Sequence, residues 1–292
     1  MNKIGVDLLL YAASFTEQDL PLIHKVASMG FDGVEIPLFD PGSTPVEEAK
    51  ALMDGEGLGC LCCGILGPDR DLIHEDEAVR EQGKRYLRDC LRIASAWDSP
   101  VLCGPLYSAV GKLVGRSRTE REWDWAVEAF KELGQFAADH GVALALEPLN
   151  RFETYFINTA EDMRRLVDEV DHPSVGIHLD TFHMNIEEKS LYEAIKTAGD
   201  RLFHVHCCEN DRGTPGTGNV DWNGVFNGLH EIEYDGWLVI ESFVPGVKEI
   251  AKAAAIWRPL ASSDDAIAIE GLKFLREREP GARGKDFQRL EA

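Results

Sequence analysis

The chain has 292 residues, a formal net charge of −21 and a pI near 4.8, which argues against nucleic acid or an anionic membrane surface as partner. Hydrophobic residues make up 44%, enough for a sizeable core, and without a Pro/Gly/Ser-rich linker the length suits one large domain. No apolar stretch approaches the roughly 20 residues of a membrane helix.

Met1–Ala13, with one lysine and with Asp7 inside a short apolar core, reads as a first strand rather than a signal peptide. That strand is expected over Ile4–Tyr11, followed by a helix over Leu20–Met29. Strands follow at Gly33–Leu38 and Gly59–Ile65, a helix at Glu75–Ala96 and a strand at Val101–Leu106. Next come a helix at Trp123–His140, a strand at Val142–Leu149 and a helix at Thr159–Val170, for which Thr159 and Asp162 provide a capped start. Val175–Leu179, Leu202–Cys208 and Trp237–Phe243 complete the strands. Of the seven cysteines, Cys60, Cys62, Cys63, Cys103, Cys207 and Cys208 fall in these apolar runs without zinc-finger spacing. They fit buried thiols in a reducing cytoplasm.

Regular alternation of strand and helix implies a parallel sheet, because parallel strands need a crossover. Eight such units favour closure into a (β/α)8 TIM barrel, a single domain over residues 1–292. No Gly-x-Gly-x-x-Gly follows the first strand, so dinucleotide binding loses its main support. Val244–Ser263 is long for a loop, carries a helical stretch with Trp257 and Arg258, and suits a lid, a subunit contact or decoration. Residues 281–292 read as a frayed tail.

Glu147, Asp180, His206 and Glu241 each end an apolar run and are 33, 26 and 35 positions apart. In a parallel barrel, side chains at successive strand ends converge on one pocket. A carboxylate there is costly unless paired or metal-bound, and for Glu147 a pairing with Arg151 is the competing explanation. Three carboxylates and one imidazole suit Mn²⁺, Mg²⁺ or Co²⁺ in an octahedral field. Two-residue alternation puts His178 on the face of Asp180 and His204 on that of His206. Both are expected one layer deeper, His178 as a core histidine with a hydrogen-bond partner. Two glutamates on roughly opposite sides of one cation suit an acid/base pair acting on a carbon-bound proton, with an enediolate stabilised by Lewis-acid action.

Asn150-Arg151-Phe152-Glu153, the run Leu179-Asp180-Thr181-Phe182-His183-Met184-Asn185-Ile186-Glu187-Glu188, and Ala255-Ile256-Trp257-Arg258 together resemble the ketose 3-epimerases. These include D-tagatose and D-allulose (psicose) 3-epimerases and belong to the xylose-isomerase-like barrels. The resemblance implies that Glu147 and Glu241 are both ligands and acid/base pair, with Asp180 and His206 as the other ligands. It also implies sugar contacts from Glu153, His183 and Arg212, a Mn²⁺ or Co²⁺ cofactor, a cytoplasmic location and a homodimer or homotetramer. Asp7 stands where some members carry an aromatic residue, Phe15 where those have tryptophan, and Pro148-Leu149 where close relatives have two β-branched residues. Phe15, Cys63, Tyr107 and Phe243 are the expected wall at the far end of the sugar, with Asp7 as a polar intrusion.

The nearest alternatives are an aldose–ketose or hydroxypyruvate isomerase and a ketose-phosphate epimerase of the same barrel type. The glycine-rich loop Asp211–Asn219 follows the seventh strand, where barrels often place phosphate, but it offers no obvious second cation beside Arg212. A metal-dependent hydrolase and a non-catalytic sugar binder stand further off.

Overall fold

The computed structural model describes residues 2–278. Eight parallel strands close into a barrel in chain order: β1 (Lys3–Asp7), β2 (Gly33–Pro37), β3 (Gly59–Cys63), β4 (Val101–Gly104), β5 (Ala143–Leu146), β6 (Val175–Asp180), β7 (Leu202–Cys207) and β8 (Trp237–Ile240). β1 pairs with both β2 and β8, which closes the ring. Around it lie α1 (Pro21–Ser28), α2 (Val46–Glu56), α3 (Glu77–Ala96), α4 (Glu120–Asp139), α5 (Ala160–Val170), α6 (Thr181–Glu187), α7 (Leu191–Ala198), α8 (Trp222–Glu231), α9 (Lys248–Ala253) and α10 (Asp264–Arg278). No helix among the described residues is long and apolar enough to cross a membrane.

Most strands stop earlier than their apolar runs, for local reasons. The Asp7 carboxylate accepts a hydrogen bond from Leu9 N at 2.8 Å and turns Leu8–Leu10 into a 3-10 helix instead of more strand. β5 ends at Leu146 just ahead of Pro148, which has no N–H to donate. β6 instead runs one residue further, to Asp180, whose side chain then caps α6. α4 starts at Glu120 rather than Trp123 because Thr119 and Glu122 form a reciprocal capping box. Thr159 caps α5 as expected.

The alternation of side chains splits the barrel into two environments. One face of each strand packs under the helices in the main core. The inner face is lined by Leu61, Cys63, Val101, Cys103, Ala145 and Val239, and by Asp7, Glu35, His178 and His204, all buried. In register, His178 pairs with His204 and Asp180 with His206, so imidazoles and carboxylate occupy successive layers. At the end of β4, Gly104 takes φ 122° against the Gly64 carbonyl, where a Cβ would collide.

In the segment 244–263, α9 is the helical part, and Trp257 and Arg258 lie beyond it, contrary to the sequence expectation. Ala255, at φ 56°, turns the chain out of the helix, and Trp257 is 74% exposed. Residues 281–292 lie outside the described residues.

Candidate active site

Glu147 and Glu241 are the first residues past β5 and β8, Asp180 ends β6, and His206 lies next to the end of β7. All four are buried. Donor atoms of Glu147, His178 and His206 lie within 4.8 Å of one another, as do those of Glu147, Asp180 and His183, and of Asp7, His206 and Glu241. His206 Nδ1 is 3.4 Å from Glu241 Oε1. The four expected ligands are therefore neighbours, linked through overlapping groups.

Arg212 occupies the centre of this cluster. Its Nη1 donates to Asp180 Oδ2 at 2.7 Å and also to Glu241 Oε2, while its Nη2 lies 3.1 Å from His183 Nε2. Its backbone is left-handed, at φ 66°, which is costly for an arginine. Glu209 holds that loop: Oε1 accepts from Asn210 N and Val220 N, both at 3.0 Å, and Oε2 accepts from Gly216 N at 2.8 Å and Trp222 Nε1 at 3.0 Å. His183 is set from β5's side, where Asn150 N donates to its Nδ1 at 3.0 Å. Nε2 lies 3.6 Å from Glu147 Oε1, and with Asn150 N on Nδ1 and the Arg212 Nη2 donor beside Nε2 both ring nitrogens face donors. Asn150 Nδ2 also donates to Glu153 Oε1 at 2.8 Å. Arg151 turns away and pairs with Glu187 at 2.8 Å, so it does not neutralise Glu147.

The deeper layer departs from expectation in one respect. His178 was expected to have a hydrogen-bond partner, yet neither ring nitrogen has one among the described residues. Its Nδ1 lies 3.6 Å from Glu147 Oε2, and burial with His206 and His204 beside it keeps the ring neutral, its pKa well below the usual value. Glu35, which the sequence pattern did not single out, sits between His204 Nε2 and His206 Nε2 at 2.8 Å from each.

The two glutamates differ electrostatically. Burial, with Glu241 and Asp180 nearby, pushes Glu147 well above the usual carboxylate range. Burial acts on Glu241 as well, but Arg212 and His206 outweigh it and hold Glu241 well below that range. Burial and Glu241 raise Asp180 to about 7 despite Arg212.

These side chains open on a cavity of about 300 Å³ lined on one side by Glu147, Glu153, His183, His206, Arg212 and Glu241. The other side is apolar: Leu9, Phe39, Ile65, Phe243, Ile250 and Ala254. Cys63 and Phe243 line it as expected residues, but Phe15 and Tyr107 do not. Phe15 packs edge-on against Trp97 in the outer core, with ring centroids 6.3 Å apart. Tyr107 is fully buried, and its hydroxyl donates to the Glu147 carbonyl at 2.8 Å. Asp7 lies beneath the cavity, held by Leu9 N and by Cys63 Sγ at 3.5 Å. Asp7 was expected as a polar intrusion into the sugar pocket, but the 3-10 turn after it puts Leu9 in the cavity lining instead.

Buried oxygen and nitrogen donors in this arrangement suit a divalent cation, and His206 Nδ1 is a buried ring nitrogen without a hydrogen bond that faces Glu241. Comparison with known proteins places this geometry. Residues 23–278 match the family described as xylose isomerase-like TIM barrel. An L-ribulose 3-epimerase of Methylomonas sp. is 35% identical over 88% of this chain and 90% of its own. A ketose 3-epimerase of Arthrobacter globiformis is 33% identical over 94% and 96%. The crystal structure of a Methylomonas sp. D-allulose 3-epimerase in complex with D-allulose superposes with a TM-score of 0.91, at 32% identity, covering 95% of this chain and 97% of that one. The chain belongs to the xylose isomerase-like TIM barrels and, within them, to the ketose 3-epimerase family.

Proposed function

We propose that the protein epimerises free ketoses at C3, with Glu147 and Glu241 exchanging the carbon-bound proton on opposite faces of the sugar. The observation that carries this reading is the placement of both glutamates on one small cavity beside Asp180, His206 and Arg212. Such a pair is the arrangement that acid and base roles require. One glutamate takes the proton from C3, and the other returns one from the opposite face. The reverse reaction exchanges the roles. Epimerisation rather than isomerisation follows from this two-sided arrangement.

Glu147, Asp180, His206 and Glu241 would hold a divalent cation, with Mn²⁺ first and Co²⁺ or Mg²⁺ as alternatives suited to oxygen-rich sites. When bound, the ion supplies positive charge that acidifies the C3–H bond and stabilises an enediolate. Glu153, His183 and Arg212 bind the oxygens at the C1–C2 end. Arg212 is the one lysine or arginine lining the cavity among the described residues, and it is committed to two carboxylates. A free sugar therefore fits better than a sugar phosphate. A cytoplasmic homodimer or homotetramer completes the proposal by family likeness.

The test is NMR of D-fructose, D-tagatose and D-ribulose incubated with Mn²⁺-loaded protein in D₂O. Deuterium at C3 together with a new ketose is the expected outcome. Deuterium at C1 with an aldose product would make the enzyme an aldose–ketose isomerase instead.

A further inference from the structure

Glu35 is a wholly buried carboxylate in the middle of β2, beside Asp7 in the sheet register. It lies below the cavity and is not among the residues lining it. A buried carboxylate is costly unless partners surround it, and here two imidazoles do. His206 Nε2 is 2.8 Å from Oε1 and His204 Nε2 is 2.8 Å from Oε2. Both rings come from β7, across the lumen, and stand 5.1 Å apart at 73°.

An ionised carboxylate accepts hydrogen bonds and cannot donate them, so the contact places the His206 proton on Nε2. Nδ1, 3.4 Å from Glu241 Oε1 and without a hydrogen bond, is then the nitrogen left for a cation. That is the form of imidazole a metal ion takes, and a carboxylate behind the ring fixes both its tautomer and its angle. Oε2 lies against His204 Nε2, a close contact without hydrogen-bond geometry, so His204 packs against the carboxylate from the other side.

We propose that Glu35 is the positioning residue for the metal site, clamping His206 with its Nδ1 lone pair facing the cavity and using His204 as its own anchor. This rests on the reading that His206 is a ligand. Loss of such a supporting carboxylate costs about 10–100-fold in metal affinity.

The experiment uses Glu35→Leu and the isosteric Glu35→Gln, each checked for folding by thermal melting. In metal-free wild type, ¹⁵N NMR of the imidazoles is expected to show His206 protonated on Nε2. In Glu35→Leu that preference should be lost. Mn²⁺ titration followed by calorimetry should show weakening by about 10–100-fold in Glu35→Leu and less in Glu35→Gln, whose amide oxygen still accepts one N–H. At saturating Mn²⁺, kcat should return to within a few-fold of wild type. If Glu35→Leu does not fold, Glu35→Gln alone decides, by its Mn²⁺ affinity. Unchanged affinity in the variants, or an unchanged His206 tautomer in Glu35→Leu, would overturn the proposal. A kcat that stays low with metal affinity intact would overturn it too. Failure of the wild type to bind Mn²⁺ would instead sink the ligand reading, while the metal-free tautomer measurement would still decide the role of Glu35.

Discussion

Arg212 Nη1 donates to Asp180 Oδ2 at 2.7 Å, and the same nitrogen also reaches Glu241. One guanidinium thus neutralises two of the carboxylates proposed to hold a cation. Arg212→Ala should leave both buried and unpaired and destabilise the metal-free protein by about 3–5 kcal/mol. Ketose turnover should fall by about 10²–10³-fold, as for loss of one donor at an oxyanion, while Mn²⁺ affinity holds or rises. Parallel titrations and kinetics decide: a matching loss of metal and activity would make Arg212 a support for the ligands.

Glu147→Gln and Glu241→Gln should each abolish epimerisation, with the loss from acid/base catalysis alone at about 10²–10⁴-fold. The fold should survive, since the amide keeps the shape. Near-normal turnover of either variant with Mn²⁺ bound would end the two-glutamate scheme.

The acid–base behaviour of Asp180 gives a pH test. In the metal-free protein burial and Glu241 raise it to about 7, against about 3.9 in an unfolded chain. Between those values the folded state holds a proton that the unfolded state lacks. Metal-free stability from this group is therefore present at low pH and lost as pH rises through about 7. A cation needs the ionised form, so the gain in Tm on adding Mn²⁺ should shrink as pH falls below that point. Equal gains at pH values well above and well below it would show that Asp180 is not a ligand.

Away from the site, Glu122 caps α4 and accepts hydrogen bonds from Arg116, Thr119 and Tyr155. Burial works against ionisation, but these partners bring its pKa down to about 2. Its stabilisation is present above about 4.5 and lost as pH falls from there through about 2. Because Arg116 is half exposed, screening reduces the ion pair's share, and Glu122→Ala should cost about 1–2 kcal/mol, mostly as a lost cap. Denaturant melts at pH 7 and pH 3 should show the difference narrowing in acid, with kcat at pH 7 unchanged. A difference that stays constant with pH would contradict the low pKa.

Leu9, Phe39, Ile250 and Ala254 form an apolar wall of the cavity, joined by Phe243, whose ring centroid lies 4.8 Å from the Arg212 guanidinium. A wall of this kind tells apart substrates differing by one small group by only about 10–200-fold. A 6-deoxy ketose should therefore match or exceed its parent in kcat/KM. Asp7→Asn should leave the ratio unchanged, because Asp7 lies behind Leu9. A marked preference for the parent, or for a ketose phosphate, would require a polar contact at the tail that this wall does not provide.

The barrel was legible because each strand keeps its alternation and each crossover its amphipathic period, and the four strand-end residues stand out as polar groups closing apolar runs. Glu35 was not legible. It sits inside an unremarkable strand, and His206, its partner, is 171 residues away. Nor was Glu209 legible, because three of its four hydrogen-bond donors, Gly216 N, Val220 N and Trp222 Nε1, come from further along the chain. Phe15 and Tyr107 fall outside the expected strands, where no alternation fixes a face: Phe15 packs on Trp97 in the outer core and the Tyr107 hydroxyl is spent on the Glu147 carbonyl.

The apolar wall and the polar floor impose an order of loading. Glu147, His206 and Glu241 lie at the strand ends, while α9 contributes Ile250 and Ala253 opposite them. An ion must pass through the space that the sugar later fills. A seated ketose would then act as a stopper, so chelators should strip the cation quickly from the resting enzyme and slowly from enzyme saturated with substrate.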